Sequence, residues 1–157
     1  MIQRGDTLPD CTFQLLTDEG MKNPTTGELF AGKKVVLFAV PGAFTPTCSE
    51  EHLPGYVTLA DKLKAKGVDS IICLAVNDAF VMTAWGKTHN AEELIMLADG
   101  DGTFTKAIGL DMDTGSFGGV RSQRYAMLVD DGQVTQLNVE PPKTFEVSKA
   151  EAMLALL

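Results

Sequence analysis

Two uninterrupted apolar runs limit what this chain can fold into more than any other feature. Residues 35–40 and 70–76 lack the alternation of a half-exposed strand, which is typical of strands covered on both faces. A segment with helical character follows each run, and a clean hairpin comes later, with strands over residues 125–129 and 133–139. We therefore predict an α/β fold with a central mixed β-sheet flanked by helices on both faces.

The segments between these strands predict the remaining elements. Residues 57–67 form an amphipathic helix with Gly67 as its C-cap, and Asn77-Asp78 caps a helix over residues 79–87. Leu53-Pro54-Gly55-Tyr56 interrupts the helical pattern, so this region is either one kinked helix or two pieces.

The ends of the chain give weaker patterns. The first thirty residues are rich in turns, with loops at 18–20 and 23–27 and room for one short strand over 11–16; a third short apolar run covers 94–97. Helices are expected over residues 104–110 and 149–157, and residues 130–132 form the turn of the hairpin. No repeat or linker divides the chain, and we expect residues 1–157 to form a single domain.

Charge and hydropathy exclude several classes of partner. Asp and Glu outnumber Lys and Arg by 21 to 13, the net charge is −8, and the basic residues form no stripe. Such a chain is a poor ligand for nucleic acid or for an anionic membrane surface. No signal-peptide core and no run of transmembrane length is present, so we expect a cytoplasmic protein.

The cysteine and histidine counts disfavour disulfide and metal frameworks. Cys11, Cys48 and Cys73 are an odd number without a CxxC pair, which fits a reducing compartment. His52 and His89 are the only histidines, so zinc would lack ligands. We expect neither a metal nor a cofactor.

Cys48 carries the strongest chemical signal. It lies where the strand over residues 35–40 gives way to a helix, after Pro41 and Thr45. Unpaired N–H groups and the positive end of the dipole at a helix start favour a thiolate over a thiol. Thr45 brings a hydroxyl to the same place, and Pro41 stiffens the approach and shields the sulfur from water. The segment predicts a reactive thiolate in a shaped pocket.

Three segments together resemble the peroxiredoxins, and more narrowly their type II, or atypical, branch, which is peroxiredoxin-5-like. They are Val40-Pro41-Gly42-Ala43-Phe44-Thr45-Pro46-Thr47-Cys48 with His52-Leu53-Pro54-Gly55-Tyr56, Val76-Asn77-Asp78-Ala79-Phe80-Val81-Met82 with Trp85-Gly86-Lys87, and Gly119-Val120-Arg121-Ser122-Gln123-Arg124-Tyr125. They span most of the chain in family order.

The resemblance implies a thioredoxin-like fold and a thiol peroxidase that reduces hydrogen peroxide and organic hydroperoxides. Cys48 would be the peroxidatic nucleophile, and Pro41, Thr45 and Arg124 would complete its pocket. It also implies a homodimer, in which the aromatic residues Phe44, Phe80, Trp85 and Phe117 would be core or interface residues.

Arg124 is the expected electrostatic partner of Cys48. An arginine near the sulfur favours the thiolate and stabilises charge that develops on the departing oxygen. If Arg121 and Arg124 share one regular strand, their odd spacing points them to opposite faces, so at most one of them faces Cys48. Family position favours Arg124, which leaves Arg121 a supporting or surface role.

The other candidate residues have more ordinary interpretations. Cys73 lies in the middle of a predicted strand and is expected to be an inert core thiol, and Cys11 reads as a small, half-buried residue. His52, four residues after Cys48, either tunes the thiolate or serves packing or capping, and the sequence does not decide between them.

One departure from the atypical two-cysteine pattern concerns recycling. No cysteine occurs in residues 140–157, where such members bear their resolving cysteine, so a sulfenic acid at Cys48 lacks an obvious partner in the chain. We expect an external thiol to capture it, with glutathione and glutaredoxin favoured and thioredoxin next.

Three other functions compete with this one. A cysteine hydrolase using Cys48 and His52 lacks an acidic residue at a recognisable spacing to orient the histidine. In a redox sensor or binding module on the same fold, Cys48 would be oxidised once per molecule, and no small thiol system would reduce it again. A dithiol oxidoreductase is disfavoured because Glu51 stands where CxxC needs its second cysteine.

Overall fold

The computed structural model describes residues 1 to 157, and nine strands form its framework. In chain order they are β1 (Leu15–Thr17), β2 (Gly20–Lys22), β3 (Lys34–Ala39), β4 (Ser70–Ala75), β5 (Ile95–Ala98), β6 (Asp111–Asp113), β7 (Val120–Ser122), β8 (Tyr125–Asp130) and β9 (Gln133–Val139). The helical elements are α1 (Thr26–Phe30), a π-helical turn (Cys48–His52), α2 (Leu53–Ala65), α3 (Ala79–Thr88), α4 (Thr103–Ala107) and α5 (Ala150–Leu154). None of these helices is long and apolar enough to cross a lipid bilayer.

The central sheet has five strands in the order β5-β4-β3-β8-β9. Strand β3 pairs in parallel with β4 and antiparallel with β8, β5 continues the parallel side, and β9 continues the antiparallel side. β1 with β2 and β6 with β7 form two small antiparallel ribbons beside it. The mixed sheet predicted from the sequence is confirmed.

Both faces of the sheet are covered, which explains the continuous apolar run over β3. Val36 and Phe38 pack in the core under α2, α3 and α5, whereas Val35 and Leu37 pack in a second core with α1 and α4. Every residue of β3 after Lys34 is buried, so neither face selects polar side chains and no alternation appears.

The helical segment after Cys48 is continuous through residues 53–56, so it is one segment rather than two pieces. The π-helical turn runs directly into α2, and Pro54 lies in the first turn of that α-helix. Pro54 has no N–H to donate, and it directly follows the widened bond from Leu53 N–H to Cys48 O, where the helix changes from π-helical to α-helical geometry. At the other end Gly67 has φ +98°, and Gly67 N–H bonds to Lys64 O while Val68 N–H bonds to Leu63 O. These bonds form a Schellman motif with Gly67 in the predicted capping position.

The N-terminal region contains more structure than the sequence indicated. The short strand covers Leu15–Thr17 rather than residues 11–16, and it pairs with Gly20–Lys22 across the predicted turn. Helix α1 occupies part of the segment predicted as a loop at 23–27. Its capping box, in which Thr25 and Glu28 bond reciprocally, is readable from the sequence as T-x-x-E.

The later elements follow the prediction with shifted ends. The hairpin turns through Asp131 and Gly132, both with positive φ, which fits the two-residue turn of a twisted hairpin. Helices α4 and α5 are each five residues long and so are shorter than the predicted 104–110 and 149–157. Strands β6 and β7, on either side of the Gly-rich segment 115–119, were not predicted, and Arg124 lies in the link between β7 and β8.

Candidate active site

The start of the helical segment after β3 fixes the position of Cys48. Thr45 O accepts the N–H of Ser49 at 2.9 Å, so Pro46 occupies the first helical position and Cys48 the third. Cys48 O then accepts the N–H of Leu53, five residues on, which makes this turn π-helical. The side chain of Cys48 is completely buried at the end of the core under α2 and α3. Single π-helical turns of this kind often occur at functional sites.

Arg124 contacts the sulfur directly. Its Nη2 donates to Cys48 Sγ at 3.0 Å, and its Nη1 lies 2.7 Å from Nδ1 of His52. The Phe145 ring lies against the same guanidinium, 5.7 Å from Cζ to the ring centre. A permanently charged donor at this distance stabilises negative charge on the sulfur. The planar fork thus bridges the Cys48 sulfur and a neighbouring imidazole.

His52 is a hydrogen-bond acceptor for that arginine. Its Nε2 lies 3.1 Å from Ser148 O, which only accepts, so the ring proton resides on Nε2 and Nδ1 is free to accept from Arg124. Burial, and secondly the charge of Arg124, lower the pKa of His52 to about 3. The imidazole is therefore neutral at physiological pH. Because both ring nitrogens are engaged, His52 has no free base to offer Cys48, which removes the support for a Cys–His hydrolase.

Thr45 and Pro41 lie at the opening to the sulfur. The Thr45 hydroxyl donates to Gly42 O at 2.7 Å, so its lone pairs are left to accept from a third group. Pro41 lines a cavity of about 880 Å³ that also borders Thr47 and Arg124. No acceptor in the structure bonds to the N–H of Thr47 or Cys48. The site thus presents acceptor and donor groups next to a buried sulfur.

Cys73 and Cys11 lie in surroundings unlike that of Cys48. Cys73 is buried in β4, and burial, with a smaller contribution from Cys48, raises its pKa well above the usual range. Burial raises the pKa of half-buried Cys11 too, and the nearby carboxylates of Asp99, Asp10 and Asp101 add to the effect. All three cysteines are free, and only Cys48 has a cationic donor on its sulfur.

Arg121 supports the loop before Cys48 rather than contacting the sulfur. Its Nε donates to Gly118 O at 3.2 Å, and a Cβ at Gly42 would lie only 3.2 Å from its Nη1. Arg121 is on β7 and Arg124 is beyond its end, so the two arginines do not share one regular strand. The prediction that odd spacing points them to opposite faces therefore does not apply. The guanidinium of Arg121 occupies space that side chains at Gly42 and Gly118 would otherwise fill.

The four aromatic residues divide between core and surface. Trp85 is fully buried, and its Nε1 donates to Ser49 Oγ at 3.0 Å, which ties α3 to the residue after Cys48. Phe44, Phe80 and Phe117 are exposed, at 54%, 66% and 77%, so a place in the core is wrong for these three.

The sequence reasoning did not identify Glu140, Phe145 or Ser148. Ser148 acts through its backbone carbonyl, which has no sequence signature, and it also accepts the Tyr56 hydroxyl at 2.8 Å. Burial would raise the pKa of Glu140, but hydrogen bonds from Ser148 and from the backbone of Glu146 and Val147 outweigh it and lower the pKa. An acidic residue directly before two prolines was the only available hint.

Comparison with known proteins identifies the family. The Redoxin family matches residues 3–154. Peroxiredoxin-2B of Arabidopsis thaliana is 49% identical over 98% of this chain and 96% of its own length. Reduced Prx3 from Vibrio vulnificus, solved in complex with H2O2, is 68% identical and superposes with a TM-score of 0.98 over 99% of both chains. The Plasmodium falciparum antioxidant protein, described as a 1-Cys peroxiredoxin, is 26% identical with a TM-score of 0.91 over 99% of this chain and 98% of its own.

The chain belongs to the peroxiredoxins. Its mixed sheet with flanking helices is the thioredoxin-like fold of that family, as the resemblance implied. As a peroxiredoxin it is a peroxidase, an oxidoreductase that acts on peroxides with a thiol reductant.

The buried neutral His52 predicts a specific pH dependence of stability in this peroxiredoxin. Unfolded His52 binds a proton below about pH 6.5, whereas the folded state does not until about pH 3. The unfolded state then binds more protons, so acidification lowers the free energy of unfolding, by up to about 1.4 kcal/mol per pH unit. Urea titrations between pH 4 and 7 should show this slope reduced in His52→Leu.

His89→Gln is the control for that measurement. It removes an imidazole at the end of α3 and leaves the buried hydrogen bonds untouched, so the slope should persist. An equal slope in wild type and His52→Leu would contradict the assignment.

Proposed function

We propose that this peroxiredoxin reduces hydrogen peroxide and organic hydroperoxides at Cys48, and that an external thiol recycles the resulting sulfenic acid. The observation that carries the proposal is the 3.0 Å contact between Arg124 Nη2 and Cys48 Sγ, at the start of a helix whose first N–H groups have no partner. The V. vulnificus relative solved in complex with H2O2 supports hydrogen peroxide as a substrate.

The first half of the cycle oxidises the sulfur. The thiolate attacks one peroxide oxygen, the S–O bond forms, and the O–O bond breaks with its electron pair leaving on the second oxygen. That oxygen takes up a proton to give water or an alcohol, and Cys48 becomes a sulfenic acid, oxidised by two electrons. Arg124 stabilises both the thiolate and the charge on the departing oxygen.

Thr45 and the helix start orient the substrate. Since the Thr45 hydroxyl donates to Gly42 O, its oxygen accepts a hydrogen bond from the O–H of the attacked hydroperoxide. The free N–H groups of Thr47 and Cys48 donate to its oxygens. Pro41 keeps bulk water from the sulfur. This matters because water would compete with the peroxide for the N–H donors at the helix start.

Substitutions at these positions test the proposal. Cys48→Ser should abolish peroxide consumption, and Thr45→Val should lower kcat/KM by about 10²-fold, while Thr45→Ser retains most activity because it keeps the hydroxyl. Arg124→Lys should also be slow, because a point charge cannot bridge sulfur and imidazole. Stopped-flow peroxide consumption measures all four.

Cys11→Ser is the control for these variants, since Cys11 contacts none of the groups around Cys48. Turnover by Cys48→Ser at the wild-type rate would rule out the proposed nucleophile.

For the second half of the cycle we propose glutathione with glutaredoxin as the leading reductant, and thioredoxin as the next. No cysteine follows Glu140, and Cys73 is buried in β4. The similarity to a protein described as a 1-Cys peroxiredoxin supports the same conclusion. An external thiolate would attack the sulfenic sulfur and release water, and a second thiol would reduce the mixed disulfide.

Mass spectrometry after treatment with H2O2 tests the recycling step. With glutathione present, Cys48 should carry one glutathione, which glutaredoxin removes, and turnover with glutaredoxin should exceed turnover with thioredoxin alone. Cys73→Ser should give the same adduct. A disulfide between Cys48 and Cys73 in place of the adduct would overturn the one-cysteine cycle.

We also propose that the protein is a homodimer that associates around the active-site loop. Phe44 belongs to the active-site loop, and the other two exposed aromatics lie close in sequence to residues that contact it. Phe80 is three residues after Asn77, whose Oδ1 accepts Ala43 N–H at 3.0 Å. Phe117 precedes Gly118, whose carbonyl accepts from Arg121, and the Arg121 guanidinium lies beside Gly42. Exposed apolar side chains gathered in one region mark an association surface.

Sedimentation of wild type and variants tests this association. Phe80→Glu and Phe117→Glu should shift the protein to monomer, because each places a charge in the apolar contact. Met21→Glu, at an exposed methionine on β2, is the control and should remain dimeric. A monomeric wild type would contradict the proposal.

A further inference from the structure

Glu140 is a buried carboxylate that the reaction described so far does not use. It follows β9 and is only 6% exposed. Its Oε2 accepts the N–H of Glu146 at 2.8 Å and the N–H and hydroxyl of Ser148 at 2.8 and 2.6 Å, while its Oε1 accepts the Thr144 hydroxyl at 3.1 Å. Four donors from three residues of the segment 144–148 therefore converge on one carboxylate, and they fold this segment around it.

This loop holds the groups that orient Arg124. Ser148 O accepts from His52 Nε2 and from the Tyr56 hydroxyl, and the Phe145 ring lies 5.0 Å from the His52 ring, centre to centre. The main chain of Glu140 acts on the same arginine from the other side, since its N–H donates to Arg124 O at 2.9 Å. Glu140 thus holds the backbone of Arg124 directly and its side chain indirectly, through residues 144–148 and His52.

We propose that Glu140 is a positioning residue for peroxide reduction, which folds residues 144–148 so that Ser148 O holds His52 in the tautomer that accepts from Arg124. The inference rests on the proposed roles of Cys48 and Arg124. Without the carboxylate, the loop loses its four bonds and Ser148 O leaves His52. Nδ1 then no longer holds the guanidinium against the sulfur.

The charges around His52 make its pKa a readout of the proposed role, which a purely structural role of Glu140 would not change. Facing the imidazole are Arg124, Glu140, and Cys48 and Tyr56 of its own helix, with Lys149 across the Phe145 ring. Burial holds the pKa of His52 low, and the charge of Glu140 acts in the opposite sense. Loosening the loop admits water and raises that pKa toward 6.5, whereas removing only the charge lowers it further.

Two substitutions separate these effects. Glu140→Ala removes both acceptor oxygens, and with them all four hydrogen bonds, and loosens the loop. Glu140→Gln keeps one oxygen for the Glu146 and Ser148 donors and turns its amide toward the Thr144 hydroxyl, so the loop stays folded without the charge. Glu146→Gln makes the same chemical change on the same loop at an exposed side chain, and it is the matched control.

The first measurement is the rate constant for oxidation of Cys48 by H2O2 without reductant, between pH 5 and 8. Glu140→Ala should lose at least about tenfold, as is usual for groups that orient a reacting residue, and its rate should fall further toward pH 5 as His52 is protonated. Glu140→Gln should retain most of the rate without that added acid limb, and Glu146→Gln should match wild type.

A double-mutant cycle with His52→Leu tests whether Glu140 acts through the histidine. If it does, adding Glu140→Ala to His52→Leu should cost almost nothing more. Additive losses would overturn the proposal. Where Glu140→Ala fails to fold, Ser148→Ala replaces it, because it removes only the shortest of the four bonds; a wild-type rate and pH profile in that variant would overturn the proposal as well.

Nitrogen NMR of the two histidines reads the network without any activity. His52 should remain the Nε2–H tautomer and neutral down to pH 5 in wild type and Glu140→Gln, and should titrate in Glu140→Ala, with His89 as internal reference. An active wild type with unchanged His52 in Glu140→Ala would overturn the positioning role alone. A wild type whose Cys48 is inert to peroxide would instead overturn the proposed function.

Discussion

The structure depends on a guanidinium held between a sulfur and a neutral imidazole. A carboxylate is the usual partner for arginine, but its negative charge would compensate the positive charge that the thiolate and the departing oxygen require. His52 holds Arg124 without that compensation, because burial keeps the ring neutral. The nearest acid of the network, Glu140, is instead occupied with four donors of its own loop. His52 thus fixes the position of the guanidinium, and Arg124 alone supplies the positive charge at the sulfur.

The π-helical turn places Cys48 and His52 where the arginine reaches both. Its widened hydrogen bond, from Leu53 N–H to Cys48 O, lies directly before Pro54, where the helix changes to α-helical geometry. The turn is anchored from outside by Trp85, whose indole donates to Ser49 Oγ. The residues between Cys48 and Pro54 are therefore positioned by the π-helical turn and by core packing rather than by a regular α-helix.

Sequence reasoning worked where a residue type has one dominant physical role. Continuous apolar runs predicted β3 and β4, Gly67 predicted a helix end, and odd spacing led to the question of which arginine contacts Cys48. It left residues 53–56 open between one kinked helix and two pieces, because proline and glycine weaken an isolated helix pattern, and it did not foresee the π-helical turn that precedes them. It left His52 undecided, since the deciding partner is a backbone carbonyl 96 residues away. The exposed aromatics illustrate the same limit: the sequence left them as core or interface residues, and only the structure shows that Phe44, Phe80 and Phe117 are exposed.

Burial of the sulfur separates the two halves of the proposed catalytic cycle physically. The first half needs only a small peroxide at the sulfur, whereas the second needs a tripeptide or a protein thiol, and Cys48 has no exposed surface for so large a partner. In the proposed cycle, recycling by an external thiol would therefore require the first helical turn to open, which would break the bonds from Ser49 N–H to Thr45 O and from Trp85 to Ser49. Oxidation of Cys48 would favour this opening, because a neutral sulfenic acid no longer has the charge that attracts Arg124. The contact between Arg124 and Cys48 would thus be weakened by the proposed reaction, at the step where the external thiol needs access.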